Sequence, residues 1–464
     1  MVFSSLTFLF AFLPIALIGW YVLPKKLRIG FLLLISLVFY AWGEPLYVLL
    51  MIGSILLNWG IGLMMDRSER HKKAWLVASI VLNLALLFVF KYTGLVWNTV
   101  RGLLPEALAE KTVSIRLPIG ISFFTFQIMS YVIDLYRGRT RVQKNIVKFG
   151  AYVSMFPQLI AGPIVRYVDI EAQLDAPERS IEGFADGVRQ FVIGLSKKVL
   201  LANTMAVLFE RFSADPLDAG VLGAWVGLFA YTFQIYFDFS GYSDMACGLG
   251  RMLGFRFVRN FDYPYISESI TDFWRRWHIS LSTWFREYVY IPLGGNRRGT
   301  GRQMLNLLIV WALTGLWHGA SWNFVLWGLY YGVLLILEKL FLGRLVEKLP
   351  KVLRHVYAML IVSVGWGIFA FTDFSALGAY FGTLVGIGDC GALTAAGGAW
   401  CLGFLPTLLV CAFASTPVAA NAVKRLERFR WFAPVRLVGT LALFLLCLAA
   451  LASQSYNPFI YFRF

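Results

Sequence analysis

Histidine is scarce in this chain, with 4 among 464 residues. Cysteine is nearly as scarce. Cys247, Cys390, Cys401, Cys411 and Cys447 stand singly among apolar neighbours, with no Cys-x-x-Cys and no His–Cys pairing. That spacing gives neither a zinc motif nor a disulfide framework, so no metal site is expected. Charge is short as well. Charged residues make up 15% of the chain, against about 25% in soluble domains. The acidic sign is the scarcer one, 26 Asp and Glu against 42 Lys and Arg, which leaves a formal net charge of +16.

Apolar residues take the place of the missing charge. They reach 59%, where a soluble domain carries about 45–50%. This balance excludes a soluble globular protein and predicts an all-α polytopic membrane protein. The 40 Phe, 21 Tyr and 16 Trp suit interfacial belts and lipid-facing surfaces. The excess of positive charge sits in short loops between apolar runs. A positive-inside bias explains that placement better than nucleic-acid binding does.

A helix needs roughly 20 apolar residues to cross a bilayer. Suitable runs are Ser5–Leu23, Leu46–Met65, Ala74–Phe90, Leu117–Tyr136, Val221–Phe239, Val356–Phe371, Gly398–Ala414 and Leu437–Ala452. Ile29–Trp42 is shorter but strongly apolar, and Leu305–Leu337 is long enough for two helices broken near Gly319. The expectation is about ten or eleven spans around a central cavity. Ser5–Leu23 has no basic segment before it, so it reads as a first span and not as a cleaved signal. Basic residues cluster at Lys25–Arg28, Arg67–Lys73, Arg137–Lys148 and Lys424–Arg436, and the loop at Gly43–Pro45 has none. Placing the basic loops in the cytoplasm puts both termini outside.

Two regions are not simple spans. Phe149–Val165 carries Pro157, Gly162 and Pro163 in an apolar run and is expected to be re-entrant. Ile181–Phe212, with Lys197 and Lys198, is expected to be an interfacial or cavity-lining helix. No internal repeat or linker divides the chain, so residues 1–464 are expected to form one membrane domain. Asp134 and Glu338 fall near span ends and read as boundary charges.

The chemistry-bearing residues are few. His318 lies within the apolar run Leu305–Leu337, in Trp317-His318-Gly319-Ala320. An ionisable group at membrane depth is a functional candidate, and imidazole exchanges protons near neutral pH. The bland alternative is a neutral imidazole packed between helices. Gly315 and Gly319 flank it and would leave room for a ligand beside the ring. Polar Ser321 and Asn323 follow. A second block, Tyr263–Arg302, contains Trp274-Arg275-Arg276-Trp277-His278 and then Arg286. It is too polar to span and too aromatic for a solvated loop, which suits an amphipathic membrane-surface helix. Two readings stand for its basic residues. One is headgroup contact. The other is that the arginines and the rings of Trp274 and Trp277 hold the phosphates and adenine of an acyl-CoA. His278 is either structural or part of the chemistry. Asp238 and Asp244 close an apolar span, where they cap a helix terminus, orient an imidazole or balance arginines.

These blocks together resemble the membrane-bound O-acyltransferase superfamily, nearest the branch that O-acetylates alginate and other bacterial polysaccharides and peptidoglycan. The resemblance runs along nearly the whole chain. It rests on Met1–Ser5, Leu117–Phe123, Leu159–Arg166, Tyr236–Asp244, Trp274–Trp284, Leu293–Arg297, Trp317–Ala320 and Phe459–Phe464. It implies acyl transfer, with His318 as the catalytic residue and His278 as a second important position. It implies a cytoplasmic thioester donor, acetyl-CoA, used as a substrate and not as a resident cofactor. It also implies an outward-facing acceptor, a bacterial inner-membrane location and an extracytoplasmic SGNH-type partner. His278 and Asn323 are the expected oxyanion donors. D-alanyl or longer-chain acyl transfer is a variant of this reading. A transporter or flippase is the rival from another class, although the paired interrupted repeats of many transporters are missing.

Overall fold

The structure, a computed structural model, describes residues 1–103, 115–388, 390–453 and 460. All regular elements among them are helical. Apart from Ile460, the closing Phe459–Phe464 motif lies outside the described residues. Nine described helices are long and apolar enough to cross a membrane, and Phe8–Val22, Ile121–Tyr136 and Phe374–Leu384 are shorter apolar helices. The expected spans appear in nearly their expected places. Examples are Lys25–Gly43, Tyr47–Arg67, Lys351–Ala370, Ala395–Ala414 and Phe432–Ser453.

The helix expected over Ile181–Phe212 is present and runs from Ile181 to Ala214, 34 residues, long and apolar enough to span. Lys198 on it is buried and paired with Asp238 at 2.7 Å, so its charge is compensated inside the protein.

The backbone separates into two compact units, residues Met1–Phe191 with Ser243–Arg259, and Val192–Tyr242 with Asn260–Phe464. In the first unit, buried amides join two spans. Ser79 Oγ and Asn83 Nδ2 both donate to Asn58 Oδ1, at 2.6 and 2.8 Å. Interhelical bonds of this kind join membrane helices where no hydrophobic force acts between them. Phe149–Val165, expected to be re-entrant, is no continuous helix. Helices Ile146–Ser154 and Phe156–Leu159 give way to irregular backbone, and every residue from 149 to 165 is buried. Protein therefore covers the non-helical stretch. Gly120 sits at φ 77° where a Cβ would lie 2.8 Å from the Leu159 carbonyl oxygen, so only glycine fits that approach. Asp134 is also buried, 3.8 Å from Arg139, and is no boundary charge.

In the second unit, helices Thr300–His318 and Trp322–Leu337 form a hairpin broken after His318, where the sequence placed the break. Glu338 follows directly. It is buried rather than a boundary charge, and its carboxylate accepts from Ile270 N and Thr271 N at 2.8 Å, Thr271 Oγ1 at 2.7 Å and the Tyr357 hydroxyl at 3.1 Å. It thereby satisfies the exposed amides at the start of helix Ile270–Arg276, whose positive end favours a carboxylate. Glu338→Gln places an amide nitrogen among these donors. The expected cost is about 1–3 kcal/mol, seen as a lower thermal midpoint in detergent, while Glu347→Gln at an exposed position leaves the midpoint unchanged.

Candidate active site

The site is assembled in the second unit by two breaks in helix geometry. The first follows His318, the last residue of Thr300–His318. Helix backbones here approach unusually closely. A Cβ on Gly315 would lie 2.2 Å from the Phe324 carbonyl oxygen, and one on Gly328 would lie 2.3 Å from the Trp311 carbonyl oxygen. Small residues at such a seam let the two helices meet backbone to backbone. The carbonyl ends of Thr300–His318 gather at its last turn, a setting that suits a group taking up positive charge during a reaction.

The second break is at His278, between helices Ile270–Arg276 and Ile279–Phe285. His278 has φ 45° and ψ 53°, left-handed backbone that costs non-glycine residues energy, although histidine is among those enriched there. The turn is held by the segment before it. Ile279 N donates to the Asn260 carbonyl at 2.9 Å, and Asp262 N donates to the Arg276 carbonyl at 2.9 Å.

These two breaks bring the imidazoles together. The ring centroids of His278 and His318 are 6.5 Å apart. Both residues are buried, 2% and 3% exposed. Aromatic rings enclose them. Phe239 lies edge-on to His278 at 4.7 Å, Trp317 contacts both imidazoles at 5.9 and 5.1 Å, and Trp327 and Phe369 flank His318 at 5.0 and 5.4 Å. The separation exceeds what a direct nitrogen-to-nitrogen hydrogen bond allows. Burial pushes the His278 pKa down from 6.5 to about 3, so this ring stays neutral across physiological pH. The arrangement, two imidazoles in an apolar enclosure, can hold and deprotonate a hydroxyl away from water.

Residues 138–377, which carry both histidines, match the family model for membrane-bound O-acyltransferases. Along its whole length the chain is 40% identical to the probable alginate O-acetylase of Pseudomonas putida, itself covered completely. The chain belongs to the membrane-bound O-acyltransferase family. It is 34% identical to the peptidoglycan O-acetyltransferase of Helicobacter pylori over 80% of this chain and 77% of that one. It is 28% identical to the teichoic acid D-alanyltransferase of Bacillus subtilis over 47% of this chain and 58% of that one. The chain is thus a multi-pass membrane O-acyltransferase, which sets aside the transporter reading.

Within this acyltransferase the other sequence candidates fall in different places. Trp274 and Trp277 are buried in the protein. Trp274 packs against Trp311 at 4.5 Å and Tyr331 at 4.8 Å, and Trp277 against Trp366 at 4.7 Å and Phe261 at 5.0 Å. They form core walls, and the block consists of two seven-residue helices and not one long amphipathic helix. Arg276 is half-buried and bonds Asp272 at 2.9 Å, whereas Arg275 and Arg286 are exposed. Asp238 and Asp244 do not end a helix. They lie well inside Pro216–Met252, a helix with a break at Gly220. Asp238 takes the Lys198 ammonium and accepts from Ile460 N at 2.8 Å, so it balances a lysine and not an arginine. Asp244, in the first unit, accepts from Gln190 at 3.3 Å. Asn323 is buried, and its amide nitrogen donates to the Ile368 and Phe369 carbonyls at 3.4 and 3.3 Å. Both neighbours are acceptors, so the nitrogen must face them, and its hydrogens serve the backbone beside Phe369.

The glycines beside His318 also change meaning. The space they leave is not open to a ligand. Phe324 fills it, with its carbonyl against Gly315 and its ring 2.2 Å from where a Gly319 Cβ would stand. Gly319→Ala is therefore expected to lose activity and thermal stability together and to recover part of both when combined with Phe324→Leu. Gly315→Ala, whose obstacle is backbone, is expected to gain nothing from that second change. Transfer assays and melting curves on the four variants check this.

Proposed function

We propose that this acyltransferase takes an acetyl group from acetyl-CoA at the cytoplasmic face and delivers it through the membrane toward an extracytoplasmic polysaccharide, alginate or a chemically similar polymer. The observation that carries the mechanism is the 6.5 Å pairing of His278 and His318 inside one aromatic enclosure. His318 acts as general base. It removes the proton of an incoming hydroxyl as the oxygen attacks the thioester carbonyl. The resulting oxyanion collapses, the carbon–sulfur bond breaks, and the His318 imidazolium returns its proton to the departing CoA thiolate. General-base assistance of this kind contributes about 10²–10⁴-fold. The apolar walls keep water from hydrolysing the thioester.

Exposed Arg275 and Arg286 are the groups suited to the CoA phosphates, because Trp274 and Trp277 are committed to the core. The basic loops support a cytoplasmic donor side, an inner-membrane location and outward termini. The described residues include no second folded unit of hydrolase type, and an SGNH-type partner outside the membrane would complete transfer to the sugar. Acetyl is favoured over D-alanyl because similarity to the O-acetylase runs the full length, whereas similarity to the D-alanyltransferase covers 47% of the chain.

The test uses reconstituted protein with labelled acetyl-CoA and such a partner. The wild type is expected to pass label across the bilayer, His318→Ala to lower the rate by about 10²-fold or more, and Arg275→Ala with Arg286→Ala to raise KM for acetyl-CoA. Wild-type turnover by a folded His318→Ala protein would remove His318 from the chemistry, and label accepted only from a D-alanyl carrier would change the donor.

A further inference from the structure

Asn260 stands outside every block that the sequence marks as chemical, yet it holds His278 and the two residues after it. Its backbone carbonyl accepts from Ile279 N at 2.9 Å. Its side-chain oxygen faces three atoms: Ser280 N at 3.2 Å, Ser280 Oγ at 2.9 Å and His278 Nδ1 at 3.1 Å. A backbone N–H can only donate, so the amide atom facing Ser280 N is the oxygen, and the amide cannot be turned over. The same oxygen faces His278 Nδ1. That nitrogen must therefore carry hydrogen, because two lone pairs would repel.

A neutral imidazole has one N–H. With it on Nδ1, Nε2 holds a bare lone pair. Nε2 is buried and has no hydrogen-bond partner among the described residues. We propose that Asn260 is a positioning residue that locks His278 as the Nδ1–H tautomer, so that Nε2 serves the acyl transfer as a hydrogen-bond acceptor. This rests on the acyl-transfer reading of the two histidines and deepens it. An acceptor cannot donate to an oxyanion, so His278 does not fill the oxyanion role expected of it. Its Nε2 instead accepts a hydrogen bond from a second hydroxyl of the acceptor, which leaves the single hydrogen of the attacking hydroxyl to His318. The same contacts hold His278 in its left-handed backbone, which places the ring and fixes its proton with one residue. The deep burial that keeps the ring neutral leaves the tautomer, and not the charge, as the property to be set.

The experiment is nitrogen-15 NMR of histidine-labelled full-length protein in nanodiscs, together with pH–rate profiles for acetyl transfer. Nitrogen shifts separate the two tautomers, and His278→Gln assigns the signal among the 4 histidines. The wild type is expected to show Nδ1–H at His278. Asn260→Ala is expected to mix the tautomers and lower kcat by about 10–100-fold with little change in KM for acetyl-CoA. Asn260→Asp keeps an acceptor for all three donors, so the tautomer and the rate at high pH are expected to survive. Its carboxylate favours the imidazolium, so the acid limb of the profile is expected to move to higher pH. An Nε2–H signal in the wild type would overturn the assignment. So would an Asn260→Asp profile superimposable on the wild type. The nitrogen shifts are read without turnover, so inactivity of the preparation, or full activity of His278→Gln, would count against the acyl-transfer reading separately.

Discussion

Gly315 and Gly328 let two helix backbones meet where any larger residue would hold them apart. The approach is set by carbonyl oxygens and not by side chains: Phe324 O against Gly315 and Trp311 O against Gly328. Backbone does not yield as a rotamer does, so the hairpin has one depth of closure. That depth fixes the end of Thr300–His318, and with it the position of His318 against Trp327 and Phe369. The aromatic wall around Trp274, Trp311 and Tyr331 packs across the same seam. The site therefore depends on a pair of residues that have no side chain to contribute.

A second constraint acts throughout, which is that polar groups buried in an apolar medium must find partners within the protein. The chain meets it locally and repeatedly. Glu338 is surrounded by two amides and two hydroxyls, Lys198 by Asp238, and Asn58 by Ser79 and Asn83. Each arrangement joins elements distant in sequence, so each also selects one packing. Glu338 is the clearest case. By capping Ile270–Arg276 it sets the direction in which that short helix delivers the chain to His278.

Much of this was legible in the sequence, for a physical reason. A membrane span is recorded in length and apolar content alone, so Tyr47–Arg67 or Phe432–Ser453 needs no tertiary information. The break beside Gly319 was legible too, because the 33 largely apolar residues from 305 to 337 exceed one bilayer crossing. The local sequence of Ile181–Ala214 leaves interface and cavity lining both open, because its lysines find their compensation far along the chain, at Asp238 in the case of Lys198, and no local pattern reports that. Trp274 and Trp277 were misread because an Arg–Trp alternation looks the same on a surface as it does where only the arginines reach out. Asn260 left no signal at all. It is a single asparagine before an aromatic run, and its meaning lies in a turn 18 residues later. The pairing of the histidines came from resemblance and not from spacing, since nothing local links positions 278 and 318.

The two imidazoles are chemically identical and their surroundings separate them. His278 has an amide oxygen at Nδ1, so its proton is fixed in place. His318 stands at the carbonyl end of a helix, where a positive charge formed in passing is stabilised by about 0.3–1 kcal/mol. One ring is thus suited to hold the acceptor by a hydrogen bond and the other to take the attacking hydroxyl's proton and give it back. Pairs of titratable groups driven apart by environment mark division of labour in proton-transfer sites. A single mobile histidine would have to orient the hydroxyl and accept its proton at once. Here the strained backbone at His278 and the closed seam at His318 hold the two tasks on neighbouring rings, with centroids 6.5 Å apart.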